Sequence, residues 1–163
     1  MAATTDLLQI VTFSVAGDLF ATDIFSVERV LRYQPARPVP NTPEWLLGVI
    51  DYQSRVVPIL DIRARLELPP AEATALTRIV VFDIEAQWIG VLVDAVKEVM
   101  TLERALIEPP PAIFRGLTKE YLTGLLRRAD GVVIVLDAAK LFTSHERVTF
   151  AQAASPTAGD ASV

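Results

Sequence analysis

The chain has one histidine, His145, within Thr143-Ser144-His145-Glu146-Arg147, so a single imidazole is available for general-base chemistry near neutral pH. Its polar neighbours fit an exposed surface residue. A Ser-His-Asp relay needs its serine in a strained turn, and Ser144, directly before His145 and outside any G-x-S-x-G, does not meet that need. Asp61 and Asp137 are the most regular pair of carboxylates. Each follows an apolar run and leads a short helical pattern, the place of a capping aspartate rather than of an acid–base pair. There is no P-loop, no Gly-rich dinucleotide fingerprint and no His-based metal motif. With no cysteine, thiolate catalysis, disulfides and Cys-ligated metals are excluded. These residue types predict no enzyme, no metal site and no cofactor.

The elements that position the remaining side chains come from a chain of 163 residues, 52% apolar and 21% charged, enough to bury a core. A formal charge of -5 argues against nucleic acid, whose binding rests on Lys and Arg neutralising phosphates. No apolar run reaches the ~18 residues of a membrane span, and the first residues lack the pattern of a secretory signal. The expectation is a compact cytoplasmic protein without direct membrane insertion.

Alternation of β-branched and polar residues predicts strands over 9–15, 19–24, 27–31, 46–52, 56–60, 78–84, 88–93, 96–102, 122–126 and 132–136. This is an all-β pattern of barrels or a sandwich. Short helical turns are predicted at 61–66 and 137–142. The segment 68–74, with Pro69-Pro70, reads as a connector, Pro109-Pro110-Pro111 as a stiff loop, and 151–163 as a mobile tail.

The chain also repeats itself. Moved forward by 69 residues, Val11, Phe13, Phe20, Ile24, Val27 and Val30 meet Val80, Phe82, Ile89, Val93, Val96 and Val99. Moved by 76, Trp45, Leu46, Gly48, Leu60 and Asp61 meet Tyr121, Leu122, Gly124, Leu136 and Asp137. Both alignments keep chain order, as a duplication would. Two similar five-stranded units are expected, about 7–68 and 77–142 with a possible exchange of a terminal strand, inside one domain spanning 7–146. Each is too small to be well stabilised alone.

The stretch 40–50 (Pro-Asn-Thr-Pro-Glu-Trp-Leu-Leu-Gly-Val-Ile), followed by Val56-Val57-Pro58-Ile59-Leu60-Asp61-Ile62-Arg63, resembles the signature of the CheW family. So do 87–96, Ile107-Glu108-Pro109-Pro110 and Tyr121-Leu122-Thr123-Gly124, and the match runs from about Leu8 to Glu146. The resemblance implies two five-stranded SH3-like barrels around a shared core. It also implies a non-enzymatic adaptor with two partners: the cytoplasmic tip of a chemoreceptor, and the regulatory domain of a CheA-type histidine kinase. In this family a receptor hairpin docks in a groove between the units, a helix-in-groove mode. Val27, Val96 and Val99 are assigned there by resemblance, with Arg29 and Gln53 nearby. Gly48 and the apolar pair Ile113 and Phe114, which follows the triple proline, are assigned to the kinase-facing side. Trp45 and Trp88 are assigned structural roles.

Two positions depart from the family. Its usual Asn-Leu-Arg-Gly is here Asp51-Tyr52-Gln53-Ser54, and its usual glutamate two places after the valine matching Val27 is here Arg29. The second unit keeps an acid, Glu98, at the equivalent place. If the family's arginine and glutamate form an ion pair, this chain has lost both halves, which suits either altered partners or neutral drift at an exposed pair worth ~0–1 kcal/mol. A related array outside chemotaxis, controlling pili, surface behaviour or a second-messenger enzyme, is the alternative within the class. A small ligand-binding β-barrel is the alternative outside it.

Overall fold

The computed structural model describes residues 6–111 and 121–141. Ten strands follow in order: β1 (Leu7–Val15), β2 (Asp18–Asp23), β3 (Val27–Arg32), β4 (Leu46–Tyr52), β5 (Arg55–Asp61), β6 (Arg78–Ile84), β7 (Gln87–Val93), β8 (Ala95–Glu103), β9 (Leu122–Arg128) and β10 (Gly131–Leu136). All ten lie where the alternation placed them. One-turn helices α1 (Ile62–Arg65) and α2 (Ala138–Leu141) follow β5 and β10. Asp61 Oδ1 accepts from the Arg63 amide at 3.0 Å, and Asp137 Oδ1 accepts from the Ala139 amide at 3.0 Å, so both carboxylates cap as expected.

The strands form two five-stranded sheets, ordered β8-β1-β2-β10-β9 (sheet A) and β3-β6-β7-β5-β4 (sheet B). Replacing each strand of sheet A by its counterpart in the duplication (β1 by β6, β8 by β3, and so on) reproduces the order of sheet B. The registers agree residue by residue. Phe13 faces Phe20 as Phe82 faces Ile89, and the parallel pairs Val135–Ala21 and Ile59–Gly90 correspond. The corresponding outer strands β8 and β3 each carry a bulge, at Lys97 between the Glu98–Thr12 and Val96–Phe13 pairs, and at Glu28 between Arg29–Val81 and Val27–Phe82. Gly48 and Gly124 hold the same place, since Leu46–Leu60 and Gly48–Ile59 correspond to Leu122–Leu136 and Gly124–Val135.

The units are nevertheless not the contiguous halves expected from the sequence. Sheet A combines β1 and β2 with β8, β9 and β10, and sheet B combines β3, β4 and β5 with β6 and β7. The exchange exceeds a terminal strand because each hairpin finds its hydrogen-bonding neighbours in the other half of the chain. Three apolar clusters result. One lies inside sheet A (Leu8, Ile10, Ala21, Leu102, Leu126, Val133, Val135) and one inside sheet B (Ile50, Val57, Ile59, Ile79, Val81). The largest joins the sheets through Phe13, Phe20, Phe82, Ile89, Tyr121 and their neighbours. Asp94 ties the sheets at the surface: its Oδ2 accepts from Arg63 Nη2 at 2.6 Å and from the Ala16 amide, in the β1–β2 turn, at 2.9 Å.

Candidate interaction surface

Side chains facing each other across a ladder project from the same side of a sheet. Val27 lies opposite Phe82 and Val30 opposite Val80, both partners belonging to the cluster that joins the sheets. In sheet A, Val96 lies opposite Phe13 and Val99 opposite Val11. Val27 and Val96 are half-buried against the shared cluster, whereas Val30 and Val99, further along the same faces, are 38% and 56% exposed. Each sheet thus carries its inner apolar row out to solvent on one of its two outer strands, β3 or β8. Phe25, in the 3₁₀ turn Ile24–Ser26 leading into β3, is 82% exposed and extends this apolar surface.

Arg29 is exposed and lies opposite Val81, a member of the cluster inside sheet B, so it projects from the other side of β3 than Val27 and Val30 do. Gln53 is exposed in the β4–β5 turn, where Gln53 (φ 49°) and Ser54 (φ 62°) both have the left-handed backbone of a two-residue hairpin loop. Its Nε2 donates to Tyr52 Oη at 3.1 Å. Gly48 is buried, and a Cβ there would fall 2.3 Å from the Arg37 carbonyl oxygen. It admits a neighbouring backbone and presents no side chain of its own. Ile113, Phe114 and His145 lie outside the described residues. Trp45 and Trp88 are half-buried; Trp45 packs on the shared cluster, and Trp88 carries the Arg55 guanidinium 3.7 Å above its ring.

Sequence reasoning missed Arg128. Its Nη1 donates to Glu98 Oε1 at 2.6 Å, joining β8 and β9, the two outer strands of sheet A. Asp130 lies 3.7 Å from its Nε. The hydrogen bond to Glu98 and the negative charge of both carboxylates raise the arginine's pKa above its ordinary value, against a smaller opposing effect of burial. Arg128 corresponds in register to Tyr52, one residue before Gln53, a relation visible only once the repeat is aligned through the turn. Asp94 and Arg63 were also missed as a pair, because their contact joins elements far apart in sequence. Among the described residues, no group of three or more His, Cys, Asp or Glu is placed to hold a metal ion, and no helix is long and apolar enough to cross a membrane.

Two pseudo-equivalent sheets, cores filled by side chains and apolar rows carried to the surface define an all-β scaffold. Residues 9–146 match the CheW-like domain, and the chain belongs to that family of chemotaxis scaffolds. It is 29% identical over 150 residues to the chemotaxis protein CheW of Treponema pallidum, covering 90% of this chain and 88% of that one. It is 31% identical over 138 residues to a probable chemotaxis protein CheW of Rhizobium etli, covering 85% and 89%. The crystal structure of the scaffolding protein TtCheW from Thermoanaerobacter tengcongensis superposes with a TM-score of 0.77 at 29% identity, covering 85% of this chain and 94% of that one.

Proposed function

We propose that this chain is a non-enzymatic cytoplasmic adaptor that couples chemoreceptors to a CheA-type histidine kinase. The observation that carries the reading is the pair of apolar rows, Val27 with Val30 and Val96 with Val99, which run from the shared core to solvent on both outer strands. Val27, Val96 and Val99 form the receptor-facing surface, with Arg29, on the other side of the edge strand β3, and Gln53, in the β4–β5 turn, assigned to the same partner. The kinase is taken by the side that Gly48 shapes, together with Ile113 and Phe114. Interiors packed with Ile10 and Val133 on one side, and Val57, Ile79 and Val81 on the other, all fully buried, count against a ligand held inside either sheet.

A reconstitution tests this. A receptor signalling-tip hairpin and the CheA-type kinase from the same genome are combined with and without the chain, and kinase autophosphorylation is followed. The expected result is receptor-dependent control of the kinase only when the chain is present, weakened by Val99→Asp. Control that is the same without the chain would overturn the reading. Arg29 and Gln53 favour a second reading within the class, an array serving surface behaviour, pili or a second-messenger enzyme. The same assay with the receptor of that array separates the two.

A further inference from the structure

The two valine rows end differently. On the inner side of sheet B the β3–β6 ladder runs Val27–Phe82, Val30–Val80 and Arg32–Arg78, and on the inner side of sheet A the β8–β1 ladder runs Val96–Phe13, Val99–Val11 and Thr101–Gln9. No bulge separates Val30 from Arg32 or Val99 from Thr101, so each end pair projects from the same side as its valines. Sheet A closes its row with a neutral pair, Gln9 Nε2 donating to Thr101 Oγ1 at 3.4 Å. Sheet B closes its row with two arginines directly opposite each other.

Like charges so placed destabilise a ladder. Half-buried Arg78 donates through Nη1 to the carbonyl oxygens of Ala75 at 3.0 Å and Thr77 at 2.9 Å, which hold its guanidinium without neutralising it. Arg32 is exposed, and neither arginine has an ion pair among the described residues. Asp94, next to the Val93 that faces Arg78 from β7, is engaged by Arg63 and the Ala16 amide. Along one side of β3 the surface therefore presents a half-buried valine, an exposed valine and then a double positive charge.

We infer that Arg32 and Arg78 form a carboxylate-binding dyad for the receptor: the signalling-tip hairpin that packs on Val27 and Val30 carries an Asp or Glu that sits between the two guanidinium groups. Cβ atoms of cross-strand partners lie about 4.5–5.5 Å apart, so the two oxygens of one carboxylate reach both arginines. Val30 and Arg32 are about 6.7 Å apart along the strand, close to the rise of about 6 Å over four residues of a helix. A helix lying along β3 with an apolar side chain on Val30 thus sets the side chain three or four residues further on over the dyad. The inference rests on the adaptor reading above and adds a residue pair that selects among receptors by charge.

Calorimetric titration of the full chain with the receptor signalling-tip hairpin, and separately with the kinase regulatory domain, both from the same genome, tests it. The variants are Arg32→Gln, the double change Arg32→Thr with Arg78→Gln that copies the neutral pair of sheet A, and Lys140→Gln as a control for loss of one positive charge elsewhere. Arg32→Gln is expected to weaken the hairpin about tenfold and the double change by more, with the kinase domain bound as by wild type. The thermal midpoint of Arg32→Gln should equal or exceed that of wild type, because a like-charge contact is removed. Lower affinity without lower stability is not what a merely structural arginine gives. With each Asp and Glu of the hairpin changed singly to its amide, one change should weaken wild type about tenfold and the Arg32→Gln chain little. If Arg32→Gln binds the hairpin as wild type or Lys140→Gln does, or if the loss falls on the kinase domain instead, the inference is wrong and the adaptor reading stands. If the wild-type chain binds neither probe, the adaptor reading fails and takes the inference with it.

Discussion

Glu98 and Arg128 join the two outer strands of sheet A through a 2.6 Å charge-assisted hydrogen bond, while their register counterparts in sheet B, Arg29 and Tyr52, are not hydrogen-bonded to each other, the Tyr52 hydroxyl accepting from Gln53 instead. The difference is local. Strand order, bulges, parallel pairs and capping aspartates are shared between the sheets. One scaffold thus carries two seams of different chemistry, one closed by an ion pair and one where, among the described residues, Arg29 has no ion pair.

Rebuilding the missing pair should be measurable. Arg29→Glu with Gln53→Arg places opposite charges at the two departing positions, and the two changes should couple. The double variant is expected to be more stable than the sum of the singles by about 0.5 kcal/mol, the scale of an exposed ion pair. It should also bind the receptors and kinases of typical family members better than either single variant does. A urea-unfolding cycle and a binding cycle against both sets of partners check this. Strict additivity in both would separate the two positions.

The β4–β5 turn stores conformational strain. Ser54 has φ 62° and Gln53 has φ 49°, where glycine is the residue without a Cβ penalty. Ser54→Gly is expected to stabilise the chain by about 0.5–1 kcal/mol, less than the full relief because glycine also frees the unfolded chain. Thermal unfolding should show a midpoint roughly 1–4 °C higher. An unchanged or lower midpoint would mean that the serine conformation is not costly.

Gly48 and Gly124 answer to the same close approach. A Cβ on either would lie 2.3 Å from a carbonyl oxygen, that of Arg37 or of Glu108. Gly124→Ala should cost about 1–3 kcal/mol, and Gly48→Ala more, because its φ of 147° also disfavours a side chain. Denaturant unfolding gives both values. A Gly48→Ala chain of wild-type stability that no longer binds kinase would instead make this position a direct contact.

The strands and caps were legible in the sequence because their signals are local: alternation for β1 to β10, an aspartate before each one-turn helix. The duplication was legible too, through offsets of 69 and 76 residues. Its interlacing was not. Contiguous halves and exchanged hairpins give the same counterparts, and the parallel pairings of β5 with β7 and β10 with β2 leave no mark in either strand. The valine rows failed to show for another reason. Val96 and Val99 are three residues apart, which in a regular strand puts them on opposite faces, and the bulge at Lys97 restores them to one. Val27 and Val30 are related in the same way through Glu28. The resemblance named Val27, Val96 and Val99 but not Val30, and only the register shows which side of its strand each pair shares.

Asp94 should matter more than its half-exposed position suggests. Its carboxylate accepts from Arg63, whose side chain is only 15% exposed, and from the Ala16 amide of the opposite sheet. Asp94→Ala leaves both donors short of an acceptor and should cost about 1–3 kcal/mol. Arg63→Gln should add little to Asp94→Ala, because the two share one interaction. Full additivity in urea unfolding would show that the contact holds neither sheet in place.

The interlaced topology predicts that neither half of the chain folds alone. Among the described residues before the connector, the only strand pairs are β1 with β2 and β4 with β5, and β3 finds its neighbour, β6, in the other half. After the connector, β6 pairs with β7 and β9 with β10, while β8 depends on β1. Each half alone therefore offers two hairpins and an unpaired strand, and isolated hairpins are marginal in water. The largest cluster is divided as well, since Phe13, Phe20 and Leu60 come from one half and Phe82, Ile89 and Tyr121 from the other. Fragments 1–70 and 71–163, produced separately, should each lack a cooperative unfolding transition by circular dichroism. Mixed at equal concentration, they should recover the β-sheet signal and a single transition, with a midpoint that rises with concentration as expected for association-coupled folding. Cooperative unfolding of either fragment alone would show that a contiguous half can close its own sheet, and that the exchange of hairpins is a preference rather than a requirement.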